Sequence, residues 1–312
     1  MQIHYSILTV LCTALLVTQA CAEEVQTCPP GEGVALQVLG SGGPIADDAR
    51  ASTAYLLWVD GKSRVLIDAG GGSFLRFGEA QAAFFDLDFI GLSHFHTDHS
   101  ADFPALLKSG VFSGRERPLT VAGPSGNHRF PGLHKYLSSM LDSGDGAYGY
   151  LSGYLDGSGG LARIDSIEIA EQVATSDDLL AKNSDEIAIY AMHVPHGIVP
   201  AIAFRVEIRG NAFVFSSDQN ASNDRFAEFA KGAAVLVMHM PIPENAGEGA
   251  RQLHAIPSKI AAVAAAADAE SLLLSHFMAR SLSNFELNVA LVREAFAGEL
   301  LIAEDLYCHT AN

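Results

Sequence analysis

Positive charge is scarce in this chain: 19 lysines and arginines stand against 36 aspartates and glutamates, a formal net charge of −17. With no dense Lys/Arg stripe anywhere, the balance repels phosphate backbones and argues against a nucleic-acid partner. Cysteine is scarce too, with four in 312 residues. Neither of the two outside the N-terminal leader lies in a reactive setting, and no G-x-S-x-G elbow is present, so a protein nucleophile is not indicated. The letters show no internal repeat. With 49% hydrophobic content, a sizeable buried core is available and disorder is not suggested.

Residues 1–22 hold an apolar core over positions 7–17, then Gln19-Ala20-Cys21-Ala22, whose small residues suit a signal peptidase. The segment lacks Lys or Arg before its apolar core. Cleavage and export, to a periplasm or to the outside, are the expectation, and no membrane attachment remains afterwards. An uncleaved anchor and a lipoprotein acylated at Cys21 stay open. Cleavage after Ala22 leaves Cys28 and Cys308, an even pair near opposite ends of an exported chain, which suggests a disulfide. The remainder, 23–312, reads as one domain.

Along that domain, 34–39 reads as a strand running into Gly40-Ser41-Gly42-Gly43-Pro44, which can be a tight turn or a phosphate cradle. Residues 54–59 and 64–67 flank Asp60-Gly61 as a hairpin. Helices are expected over 73–83, 102–109 and 126–141, and a strand over 118–122. Residues 142–160, crowded with Gly, Ser, Asp and Tyr, read as a flexible insertion, either a lid carrying Tyr148, Tyr150 and Tyr154 or a long surface loop. The second half repeats the rhythm, with apolar runs at 187–192, 202–208, 212–215, 235–238 and 272–274 and helices at 223–230, 257–267 and 284–296. Strand-rich halves closed by helices imply an α/β fold of layered sheets covered on their outer faces.

The densest chemistry is Ser93-His94-Phe95-His96-Thr97-Asp98-His99, directly after the apolar run Phe89-Ile90-Gly91-Leu92. Such a run is a bounded strand, and loops leaving rigid strands carry chemistry. His94 and His96 alternate with Phe95 and can point one way, while Asp98 and His99 follow the turn, so one loop can feed two adjacent metal ions. Imidazole with carboxylate suits zinc, and also manganese or iron. Further candidates stand at strand ends: His193, His196, Asp218, His239 and His276.

This pattern resembles the metallo-β-lactamase superfamily, and within it the ribonuclease Z-like and arylsulfatase-like branch. The carrying residues are Leu39-Gly40-Ser41-Gly42-Gly43-Pro44, Leu66-Ile67-Asp68-Ala69-Gly70, the His94 to His99 motif, Gly123-Pro124, His196-Gly197-Ile198-Val199-Pro200-Ala201, Ser217-Asp218 and Ser275-His276-Phe277. The resemblance implies an αββα sandwich of two mixed β-sheets with the site at one edge. It implies that His94, His96 and His196 bind one divalent ion, that Asp98, His99 and His276 bind a second, and that Asp218 bridges them. Asp98 is thereby also part of the catalytic machinery. Asp68 supports the metal loop through hydrogen bonds, His239 is left to a supporting role, and His254, at a family histidine's spacing before His276, is the candidate general acid. His193 has no counterpart and reads as structural.

Two ions in such a site acidify a bridging water into the attacking hydroxide and stabilise charge on the attacked centre. The expected activity is hydrolysis of a small-molecule ester, a phosphodiester or aryl sulfate. Ribonuclease Z-like cleavage and lactone hydrolysis remain alternatives, as do a non-catalytic metal-binding protein and an iron redox protein of the same fold. Two departures bear on the substrate. The RNA-processing members grip transfer RNA with a basic flexible arm, whereas 142–160 carries Asp142, Asp145 and Asp156 and no Lys or Arg. The family's usual His-Glu is His239-Met240 here, which removes a carboxylate. The oligomeric state is not legible, and a homodimer stays open.

Overall fold

The computed structural model describes residues 28, 31–170, 179–183 and 186–311. The leader expected at 1–22 lies outside them. Among the described residues, no helix is long and apolar enough to cross a membrane.

Two seven-stranded sheets face one another. The first contains β1 (Val34–Gly40), β2 (Ala54–Val59), β3 (Lys62–Ile67), β4 (Phe89–Gly91), β5 (Leu119–Pro124) and β6 (Ile164–Ile169). The second contains β7 (Leu179–Asn183), β8 (Ile187–His196), β9 (Val199–Ile208), β10 (Asn211–Phe215), β11 (Val235–His239), β12 (Ser271–Ser275) and β13 (Glu299–Ile302). β14 (Cys308–Ala311) returns to pair with β1. Each sheet is mixed in the same way: an antiparallel portion, β14 to β3 or β7 to β10, continues into parallel strands, β3 to β6 or β10 to β13. The letters show no repeat, yet the backbone makes the same succession twice.

Period-two alternation sorts each strand's side chains between two buried layers. Val34, Leu36, Val38, Tyr55 and Leu57 point between the sheets, where they belong to one apolar cluster with Phe204, Val206, Phe213 and Phe215. Ala35, Leu39, Leu56 and Trp58 point outward into a second cluster, with Phe103 and Leu107 of helix Phe103–Gly110 and Leu133 and Leu137 of helix Leu133–Leu141. Both faces of β1 and β2 are therefore dry, which explains their nearly continuous apolar spelling. Helices Pro257–Ala266 and Phe285–Ala295 pack on each other beside the second sheet. The result is the expected αββα sandwich.

Several local expectations change. The helix expected over 126–141 begins only at Leu133, because Pro131 biases the residue before it away from helical backbone. Residues 126–131 instead fold on Asn127, whose Oδ1 accepts from the backbone N–H groups of Arg129 and Phe130. Residues 142–160 are not a free loop. They form short helical turns whose Leu151 and Tyr154 are buried, the Tyr154 hydroxyl donating to the Leu107 carbonyl at 2.7 Å. The glycine loop acts as a close-packed turn. Its Ser41 carbonyl accepts from the Phe277 N–H and its Gly43 N–H donates to the Phe277 carbonyl, and a Cβ on Gly43 would lie 2.9 Å from the His276 ring.

Candidate metal centre

Strand ends of both sheets deliver polar residues to one edge. β3 ends at Asp68, β4 leads through Leu92 to Ser93 and His94, β8 ends at His196, β10 leads to Asp218, β11 ends at His239 and β12 leads to His276. Carboxyl ends of parallel strands are where open α/β sheets place their sites. Three of these turns use left-handed backbone at residues other than glycine: Asp68 at φ 61°, Ser217 at φ 57° and His276 at φ 55°. Such strain persists where a particular side chain is required.

The motif loop is held from beneath by Asp68. Its Oδ1 accepts from the Ser93 backbone N–H at 2.7 Å, and its Oδ2 accepts from the Ser93 hydroxyl at 2.8 Å and from His99 Nδ1 at 2.7 Å. Those bonds fix the His99 tautomer and turn Nε2 toward the centre. Gly70 has to be glycine here, since a Cβ would fall 2.1 Å from the Asp98 carbonyl oxygen.

Around the centre, His99 Nε2 faces His276 Nε2 at 3.2 Å, and His276 Nε2 lies 3.2 Å from Asp98 Oδ2 and 3.3 Å from Asp218 Oδ1. His94 Nε2 faces His96 Nδ1 at 3.0 Å. His196 donates from Nδ1 to the Leu253 carbonyl at 2.9 Å, leaving its Nε2 3.6 Å from Asp218 Oδ2. Asp218 thus stands between both sets. His239 Nδ1 is 2.8 Å from Asp218 Oδ1, and His254 Nδ1 is 3.8 Å from Asp218 Oδ2. All ten residues singled out from the sequence for this edge are brought together. Only His96 among them is more than marginally exposed. His193 lies apart and donates from Nε2 to the Ile169 carbonyl, 3.1 Å away.

Electrostatics explain what the cluster wants. Burial pushes His94 well below the usual histidine range, and burial pushes His254 down to about 4 and His239 to about 3. Burial alone would raise the Asp98 and Asp218 carboxyls, but the surrounding histidines, His99 and His276 foremost, hold both below the usual range. The buried nitrogens His196 Nε2 and His254 Nδ1, 3.6 and 3.8 Å from Asp218 Oδ2, have no hydrogen-bond partner. Orphaned lone pairs beside ionised carboxylates are costly when dry unless a cation meets them. Ligand atoms of His94, His96 and His196, of His99, Asp218, His239 and His276, and of His196, Asp218 and His254 each lie within 4.8 Å of one another. The residues present therefore fit divalent ions, and the mixture of imidazole and carboxylate suits zinc, manganese or iron.

A cavity of about 820 Å³ opens beside His196, lined by Asn127, His193, Ile198, Asn223 and Arg225 among others. Asn127 bridges its mouth, donating from Nδ2 to the Ile198 carbonyl at 2.9 Å, and Phe130 sits edge-on to His96 at 6.3 Å. The sequence reading missed this loop because it read as helix, and it missed Tyr55, whose hydroxyl lies 3.1 Å from His239 Nε2. An aromatic residue inside an apolar strand carries no spacing signal. The Asx-turn spelling of Asn127 before Pro131 could have revealed the loop.

The sequence model described as Beta-lactamase superfamily domain matches residues 63–277. Ribonuclease Z of Mycobacterium marinum is 28% identical over 288 residues, spanning 88% of this chain and 97% of the relative. Among solved structures, the metallo-beta-lactamase fold protein YhfI from Bacillus subtilis aligns with a TM-score of 0.67 at 19% identity, covering 89% of this chain and 100% of that one. Human tRNase Z, short form, aligns with a TM-score of 0.67 at 19% identity, covering 89% of this chain and 99% of that one. Matched over residues 63–277 by that model and over most of its length by that relative and those folds, the chain belongs to the metallo-β-lactamase superfamily, in its ribonuclease Z-like branch, and is a metal-dependent hydrolase.

Proposed function

We propose that the chain is an exported hydrolase of small esters, a phosphodiester or an aryl sulfate, working with two divalent ions, zinc in the first instance. The observation that carries this is the position of Asp218 between the two donor sets. His94, His96 and His196 would hold one ion, Asp98, His99 and His276 the other, and Asp218 would touch both. Ions so held supply Lewis acidity and make a bound water acidic near neutral pH.

The chain's own residues do the rest. Asp68 and Ser93 keep His99 aimed, the Leu253 carbonyl keeps His196 aimed, and the short distances around Asp218 prevent either set from drifting. His254, whose buried Nδ1 has no hydrogen-bond partner, lies beside His196, 5.2 Å ring to ring. It is the group placed to pass a proton to the departing oxygen.

Substrate size and charge favour a small ester. The cavity accommodates a compact leaving group, the net charge of −17 opposes a polyanion, and 142–160 packs on the helix layer with no basic residue to offer. The relatives named Ribonuclease Z support a second reading, cleavage of RNA. Turnover of bis-nitrophenyl phosphate, nitrophenyl sulfate and an RNA with a 3′ extension by the mature protein decides between them. Turnover of either small ester with the RNA left intact is expected, and RNA cleavage alone would replace this reading. Export is tested by N-terminal sequencing of secreted or periplasmic protein, which should begin at Glu23.

A further inference from the structure

His239 contacts Asp218 without belonging to either set of three, and its second nitrogen is occupied from the opposite sheet. Tyr55, on β2, places its hydroxyl 3.1 Å from His239 Nε2, while His239 Nδ1 lies 2.8 Å from Asp218 Oδ1. All three side chains are buried. A neutral imidazole carries one proton, and an ionised carboxylate only accepts. The proton therefore sits on Nδ1 and is donated to Asp218, which leaves Nε2 to accept from the Tyr55 O–H. Burial pushes the Tyr55 phenol far above its usual range, so it remains a donor at any working pH. The ring planes are set by packing: His239 stacks on His276 at 4.6 Å, and Tyr55 packs on Phe215 at 5.4 Å.

We propose that Tyr55 is a positioning residue: with the His239 proton held on Nδ1 by Asp218, the Tyr55 hydroxyl occupies Nε2 and locks the ring in place, which holds Asp218 by Oδ1 and leaves Oδ2 turned toward His99, His196 and His254. Those nitrogens lie 3.7, 3.6 and 3.8 Å from Oδ2. The inference rests on the two-ion reading of the site. A second consequence follows from the same geometry. His239 offers a ligand atom within 4.8 Å of those of His99, Asp218 and His276. A His239 released from Tyr55 becomes a competing donor. The hydroxyl thus keeps a holding histidine from becoming a ligand.

Three variants separate this from packing. Tyr55→Phe keeps the ring and removes the hydroxyl, His239→Gln keeps an N–H for Asp218 and an acceptor for Tyr55, and His239→Ala keeps neither. Nitrogen NMR of histidine-labelled, chelator-treated protein reads the His239 tautomer, and cobalt(II) absorption and zinc release to a chelator read the site. The wild type should carry the His239 proton on Nδ1. Tyr55→Phe should keep the proton on Nδ1, where Asp218 accepts it, but move the Nε2 resonance, shift the cobalt band and speed zinc release about 10- to 100-fold, the range for outer partners of metal ligands. His239→Gln should stay near wild type and His239→Ala should match or exceed Tyr55→Phe. An Nε2–H tautomer in the wild type overturns the proposal. So does a Tyr55→Phe protein with unchanged cobalt band and zinc release, even with a lower melting temperature, since packing alone then explains Tyr55. Because the tautomer is read without metal, a wild type that binds no ion would defeat the two-ion reading while leaving this result separately decided.

Discussion

His254 shows how far single residues can be read. Its spacing to His276 is visible in the sequence, but its place beside Asp218 and His196 is not, because it depends on where helix Glu248–Leu253 ends. If His254 passes the proton, His254→Ala should slow hydrolysis of an unactivated phenyl ester about 100-fold or more, within the range for general acid–base groups. The same change should matter much less for nitrophenyl esters, whose leaving group needs no proton. Equal losses on both substrates, read from steady-state kinetics, would assign His254 to holding the site instead. The histidines proposed as ligands are legible because they stand at or just after apolar strand runs and need no partner to be recognised. Tyr55 was not legible, because its role exists only where β2 of one sheet meets β11 of the other. The left-handed turns at Asp68, Ser217 and His276 were likewise invisible, since residue type gives no warning of positive φ outside glycine.

At the scale of elements, strands were easier to read than their layering. Long apolar runs announced β8 to β12, whereas β6, β13 and β14 are short, polar on one side and were passed over. The run over 126–141 has helical letters from Leu133 onward, whereas Gly126, Asn127, Pro131 and Gly132 before it decide where the helix begins. Phe204 on β9 connects the sheets, meeting Phe89 edge-on at 5.9 Å and filling the space that Gly91 leaves open. Phe204→Ala should therefore cost about 3–5 kcal/mol in urea unfolding, the range for a buried phenylalanine. At the sheet ends remote from the metal centre, the hairpin turns at Asp60 and Arg209 meet as a two-toothed ion pair, 2.9 and 2.6 Å. The Arg209 guanidinium holds the Asp60 carboxyl down to about 2. Since the folded value lies below the unfolded one, this pair's contribution is present above about pH 4 and is lost as pH falls toward 2. Asp60→Asn should lower stability slightly above about pH 4 and hardly at all near pH 2, so the acid limb of the melting curve flattens across that window; the loss is small because the pair is solvent-exposed. An unaltered acid limb would show that the pair contributes nothing.

For the molecule as a whole, the fold class was legible from the alternation of strand-rich stretches and helices, while the doubled succession of strands was not, because it is written in backbone pairing. Cys28 joins Cys308, next to the pairing of β14 with β1, and closes nearly the entire described chain. Free-thiol titration of the mature, unreduced protein should find none. Cys308→Ser should cost about 2–5 kcal/mol, the range for removing a native bridge, and two titratable thiols in the wild type would remove this tie.

The account turns on the ions that the convergent donors at Asp218 are inferred to hold. Metal analysis of the purified mature protein, with ester turnover measured on the same sample, should give two divalent ions per chain and an activity abolished by chelation. His96→Ala should lose metal and fall more than about 100-fold in turnover, beyond the effect of an outer partner. Fewer than one bound ion per chain, or a His96→Ala protein as active as the wild type, would contradict it.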